Sequence, residues 1–347
     1  MCSRAFTGVT IVVLAIVLLI PHWALAAQAT SPRAVQEALN RIAADLFSPN
    51  PQATQAIDEL RTILTEHPGL AEAHMLLGIA YRVQGSPDLM GDAVGELRQA
   101  VTLKPSLLMA RLTLARVYMD MSRHGRAKEE LEAALEQAPG RPEILSLLGE
   151  VERQLANPRR SVELNRQALQ ADPALVQARY YLGLALLELG ERTEAIAALE
   201  AVAASGANPA EAYLALGTAY MDAQRIDDGV KALRRAVSLD PSRPESHIQL
   251  ARAYRVTGQL DAALKQLALA MPAGPGGLGT LYRNVESDVL MERGLIRMQQ
   301  GRPHDAAAAF ERVLALDDSH EEAKQQLALA RKQMNGKPAA GARGRRQ

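Results

Sequence analysis

Along most of the chain, apolar residues recur at i, i+3, i+4 and i+7, the pattern of helices that bury one face. Six segments fall into one register: HMLLGIAY from His74, RLTLARVY from Arg111, LSLLGEVE from Leu145, RYYLGLAL from Arg179, YLALGTAY from Tyr213 and HIQLARAY from His247. The fifth residue of each is small (Gly78, Ala115, Gly149, Gly183, Gly217, Ala251), at steps of 37, 34, 34, 34 and 34. A second small residue follows at Ala93, Ala127, Ser161, Ala195, Gly229 and Ala263. Leucine stands four beyond it at Leu97, Leu131, Leu199, Leu233 and Leu267, and proline closes the unit at Pro105, Pro139, Pro173, Pro241 and Pro275. Each unit therefore predicts two amphipathic helices joined by a turn such as Leu189-Gly190-Glu191-Arg192. The small residues let the two backbones approach, and the prolines stop the second helix.

The order L-G, Y, A, L, A, P at a period near 34 resembles the tetratricopeptide repeat, and the resemblance covers nearly all of the chain after its first residues. It implies an all-α fold, an α-solenoid forming a right-handed superhelix of about eight helix-turn-helix repeats plus a C-terminal capping helix. Arg33 to Phe47, the turn Ser48-Pro49-Asn50-Pro51 and the helix start at Ala53 read as a degenerate first repeat. Gly294, Gly301, Ala306, Phe310 and Val313 mark one more at the C-side, and His320 to Met334 reads as the polar cap. Residues 33–272 form the main array, 273–284 a Gly/Pro-rich loop, 285–334 the last repeat with its cap, and 335–347 a basic disordered tail. The insertion Ser86-Pro87-Asp88-Leu89-Met90 accounts for the 37-residue step.

The loop contains a literal G-x-G-x-x-G at Gly274, Gly276 and Gly279. A dinucleotide fingerprint follows a strand and opens a helix on the pyrophosphate. Here the glycines follow the second helix Leu260 to Ala270 within an insertion of nine residues, so a hinge between repeats is the expected role, not a phosphate cradle.

The first residues place Arg4 before an apolar run from Gly8 to Ile20 and Ala24-Leu25-Ala26, the pattern of a secretory signal peptide over residues 1–26. The expected product is periplasmic or secreted, without stable membrane insertion. The alternative is an uncleaved segment that anchors the chain in a membrane. Cys2, the only cysteine, lies in this segment, so no disulfide, cysteine ligand or cysteine nucleophile is expected after cleavage. Lys plus Arg and Asp plus Glu both number 39, which gives no footprint for nucleic acid.

No P-loop, H-E-x-x-H, Ca-loop or G-x-S-x-G pattern is present, so no enzyme, cofactor or metal is expected. The seven histidines are scattered; His74 and His247 share a repeat position with Arg111, Arg179 and Tyr213 and read as helix-surface residues. The informative pattern is a second apolar stripe on the first helix of each unit: Met75 and Ile79; Leu112 and Met119; Tyr180, Leu184 and Leu187; Leu214 and Met221; Ile248; then Met291, Leu295 and Met298. The family resemblance implies that these positions line a concave groove that takes peptides, and methionine suits an adaptable surface. The alternative use of any one of them is packing between neighbouring first helices. Arg116, Arg252 and Arg255 share this face and could meet carboxylates of a partner. The Lys and Asn clamp by which one subfamily grips a C-terminal carboxylate is absent, since its positions hold Met75 and Ile79, Leu112 and Arg116, Ser146 and Glu150. The expected function is a scaffold of the cell envelope that binds a protein or peptide; the alternative is an accessory factor for polysaccharide assembly or export.

Overall fold

The computed structural model describes residues 31–207, 209–271 and 279–336. The expected signal peptide, the basic tail beyond 336 and the glycines Gly274 and Gly276 lie outside the described residues. The chain divides into two compact units, one ending at Asn157 and the other beginning at Pro158. The first holds α1 (Pro32–Leu46), α2 (Ala53–Glu66), α3 (Ala71–Gln84), α4 (Met90–Leu103), α5 (Leu108–Asp120), α6 (His124–Gln137) and α7 (Pro142–Gln154). The second holds α8 (Pro158–Ala171), α9 (Val176–Glu188), α10 (Arg192–Ser205), α11 (Pro209–Asp222), α12 (Ile226–Leu239), α13 (Pro244–Val256), α14 (Leu260–Ala270), α15 (Gly279–Gln299), α16 (Pro303–Leu316) and α17 (Glu321–Gly336). Among the described residues every element is helical, and within each unit every helix packs on its successor. First helices also touch directly, α1 on α3, α3 on α5, α9 on α11, α11 on α13 and α13 on α15. Each unit is an all-α stack of helix pairs.

The small residues do what the spacing predicts. A Cβ added to Gly78 would stand 2.5 Å from Leu97 Cγ, one on Gly183 2.8 Å from Leu199 Cγ, and one on Gly217 2.6 Å from Leu233 Cγ. The leucine of each second helix thus fills the space left by the glycine of its partner helix, and Leu97, Leu199 and Leu233 are wholly buried. In the last pair Phe310 replaces leucine and its ring lies against Gly294.

Within a pair the turn closes with one left-handed residue at a constant offset, Ser122, Ala156, Gly190, Gln224 and Gly258, followed later by Gly301. The next amide then reaches back to a carbonyl of the last helical turn, as Arg225 N–H does to Tyr220 O at 2.8 Å. Between pairs the turn is closed by aspartate. Asp172, Asp240 and Asp317 each accept, through Oδ1, the amide of the residue two further on, at 2.9, 3.1 and 2.9 Å. Hydrogen bonds from Ser242 and Ser319 hold the carboxyls of Asp240 and Asp317 below their ordinary range.

The insertion after Gly85 forms a 3-10 turn, Pro87–Leu89, that runs directly into α4. The loop expected over 273–284 ends earlier: α15 begins at Gly279 and, at 21 residues, is the longest helix described, so the inserted residues partly extend a helix.

Asn165, in α8, occupies the place that leucine holds in five other pairs. It is fully buried, and its Nδ2 donates to Ser161 O at 2.9 Å while Oδ1 has no partner. Because an unpaired buried acceptor costs more than an apolar group of similar size, Asn165→Leu should stabilise the chain by about 1–2 kcal/mol in urea unfolding. A loss of stability would show that the amide oxygen is satisfied after all.

Candidate first-helix interface

The first helices present the residues expected to line a groove, and the structure sorts them. Ile79 and Ile248 are 6% and 3% exposed, so each offers only a small patch of its own surface. Leu214 and Met221 are half-buried and lean on the cluster around Leu233, Ile248 and Tyr254. Tyr180, Leu184 and Leu187 pack in the same way on Leu199, Leu216 and Tyr220. Met291 is buried, and Leu295 and Met298 rest against Phe310 and its neighbours. Met75, Leu112 and Met119 are half-buried, and Arg116 is exposed. Packing between first helices therefore consumes part of the stripe, as the direct contacts between them require.

Arg252 and Arg255 also have partners of their own. Both donate to Glu292 of α15, at 2.8 and 2.9 Å, and the Glu292 side chain is 6% exposed. Arg252 stands 3.6 Å from Asp288, whose carboxyl is pushed up by burial and pulled back by that guanidinium. These arginines fasten one repeat to the next and are engaged within the chain, contrary to the role expected for them with a partner.

The repeat position shared by His74, Arg179 and His247 is likewise structural. His74 Nε2, Arg179 Nη2 and His247 Nε2 donate to the carbonyls of Pro68, Pro173 and Pro241, six residues earlier, at 2.9, 2.6 and 3.0 Å. His74 Nδ1 meets Glu96 at 2.5 Å, and His247 Nδ1 meets Gln266 at 2.7 Å. His247 is buried, so the expectation of a helix-surface residue fails there. A second tie spans 20 residues. Arg61 and Arg234 donate to the hydroxyls of Tyr81 and Tyr254, at 3.0 and 2.8 Å, and the Tyr220 hydroxyl donates to Glu200 at 2.5 Å. Burial, reinforced by Glu200, pushes the Tyr220 hydroxyl up to about 12.

Among the described residues, two concavities open on the first-helix face, one in each unit. In the first unit a cavity of about 250 Å³ is lined by Phe47, Ile79, Met109, Leu112 and Thr113, with Arg82, Arg116, Arg141 and Glu143 around it. Phe47, the residue that ends α1, is 65% exposed, and Met109 is 48% exposed. In the second unit a cavity of about 350 Å³ lies among Thr218, Met221, Ile226, Gln249, Arg252 and Val256. Ile79, Leu112, Arg116, Met221 and Arg252 are thus brought to open concavities, while Phe47, Met109 and Val256 were missed. The signal for Phe47 was its rarity, one of three phenylalanines, placed at a helix end before Ser48-Pro49. Among the described residues no group of His, Cys, Asp and Glu could hold a metal ion, and no helix is long and apolar enough to cross a membrane.

No curated protein matches the chain in sequence. Structures with the same fold include the human IFIT1 dimer with m7Gppp-AAAA, at 13% identity and a TM-score of 0.66, matching 81% of this chain and 69% of that one. The APC/C hetero-tetramer Cut9-Hcn1 matches at 15% identity and a TM-score of 0.59, over 80% of this chain. Our chain spans 46% of that one, less than half its length. A tetratricopeptide repeat protein from Parabacteroides merdae matches at 15% identity and 0.55, over 80% of this chain and 99% of its own. At these identities the likeness concerns the fold alone. Two family profiles described as tetratricopeptide repeat match residues 148–212, 214–277 and 291–331, and residues 90–151, together well over half of the sequence. The chain belongs to the tetratricopeptide repeat family.

Proposed function

We propose that this protein is a non-enzymatic scaffold of the cell envelope that binds a partner polypeptide on its first-helix face and so supports assembly or regulation of a complex. Tetratricopeptide repeats act as protein-interaction scaffolds, which supports the coarser part of this reading. The observation that carries the site is the cavity of the first unit, where large apolar side chains stay open to solvent although the surrounding helices are closely packed. Solvent-exposed aromatic and thioether side chains beside a concavity are the usual anchor surface for a peptide. Export to the envelope rests on the sequence of residues 1–26. The polysaccharide reading gains less support, because Tyr220, one of the tyrosines that could stack on a sugar, is buried and bound to Glu200.

A photo-crosslinking residue placed at Met109 or Leu112 should trap a discrete polypeptide partner in intact cells. The same residue at Glu132 or Lys265, on second helices, should not. Equal trapping from both faces, or none from Met109 and Leu112, would overturn the assignment of the face.

A further inference from the structure

We infer that the occupant of the first unit's cavity is a short partner segment that places an aliphatic or aromatic side chain in the cavity and a carboxylate beside it. This rests on the reading of that cavity as a peptide site and adds its charge preference. Three arginines, Arg82, Arg116 and Arg141, come from three different parts of the unit, α3, α5 and the residue before α7, and converge on one concavity. A single carboxylate, Glu143, joins them in its lining. The apolar floor between them is Ile79, with Leu112, Met109 and Phe47 as walls. A cavity of about 250 Å³ falls below the roughly 300–1,000 Å³ of small-molecule sites, so one anchoring side chain of a longer polypeptide fits it better than a free metabolite.

The intramolecular partners of Arg82 and Arg141 favour exchange. Arg82 pairs with Asp120 at 2.7 Å and Arg141 with Glu143 at 3.3 Å, and all four side chains are between about a third and a half exposed. Ion pairs this wet are weak, and a carboxylate delivered next to an apolar anchor, where water is displaced, competes well with them. The second unit's cavity lacks this excess: its one lining cation, Arg252, is committed to the buried Glu292, and Asp222 lines it as well. Two cavities on like helices thus differ in the charge they recruit.

The test uses the full chain and fluorescence anisotropy with three labelled ten-residue probes: a peptide of leucine, alanine and glutamate, the same peptide with each glutamate replaced by lysine, and an oligouridylate. The glutamate peptide should bind at least about tenfold tighter than the lysine peptide at low salt, and the difference should shrink as salt rises. Arg82→Glu and Arg141→Glu, made separately and checked for helical content, should each narrow or reverse the preference, while Leu112→Glu should abolish binding of both peptides. Equal binding of the two peptides, unchanged by the arginine substitutions but lost with Leu112→Glu, overturns the charge preference and leaves the peptide site standing. Failure of every peptide to bind, binding unaffected by Leu112→Glu, or tighter binding of the oligouridylate overturns the assignment of an acidic polypeptide altogether.

Discussion

Removing Arg252 and Arg255 together should destabilise the second unit by roughly 3–5 kcal/mol, the largest effect expected from any pair of substitutions outside the apolar core. The double variant Arg252→Met/Arg255→Met would leave the Glu292 carboxylate, 6% exposed, without either donor. Asp288, which stands beside Arg252 and interacts with Glu292, gives nothing in exchange, because it is a like charge. Removing the carboxylate instead should cost less, about 2–3 kcal/mol, since Arg252 is 37% exposed and regains water. The triple variant with methionine at all three positions should recover much of the loss, because it removes the unpaired charge while keeping volume. Urea unfolding of the three variants measures the order. If the double variant unfolds with the wild type, the two arginines do not carry the α13 to α15 junction.

Gly217→Val should cost about 3 kcal/mol, at the upper end of overpacking losses. A single Cβ at this position already falls 2.6 and 2.8 Å from Leu233 Cγ and Cδ2 and 3.2 Å from the Leu233 backbone nitrogen, and Leu233 has no exposed surface to move into. The branched side chain must therefore push α12 away from α11. Because the partner is one side chain, Gly217→Val/Leu233→Ala should lose less than the sum of the two single losses, a coupling read by a double-mutant cycle. A repeat array does not always unfold in one step, so hydrogen exchange of α11 and α12 is the more direct readout. Strict additivity would show that Gly217 and Leu233 are not the contact.

The repeat skeleton was legible because its determinants are local and periodic. A glycine, a leucine and a proline at fixed offsets each have one physical job, and Gly78, Gly183 and Gly217 are found doing it. The first-helix face was legible as a face, but not residue by residue. Met75 and Leu112 stay partly open where Ile79 and Ile248 close, and that difference depends on how near the next first helix comes, which the pattern does not encode. Glu292 could not be found from sequence either. It lies 40 and 37 residues beyond its arginines, one acid among many, and acquires meaning only when α15 meets α13. The loop was overextended because Gly279 looks like a breaker. As the first residue of α15 it bears no backbone penalty of the kind a helix interior imposes, and the stretch from Thr280 to Glu286 contains no glycine or proline to stop a helix.

The bond from His74, Arg179 and His247 to the carbonyl of a closing proline has a consequence for how such a chain can change over time. Imidazole and guanidinium reach the same acceptor at nearly the same length, one bulky and titratable, the other permanently cationic. These three seams take an N–H at that reach and accept it from either kind of side chain. Such copies can therefore differ in charge and size along their flank while making the same step to the next, which leaves a lineage free to retune its surface one repeat at a time.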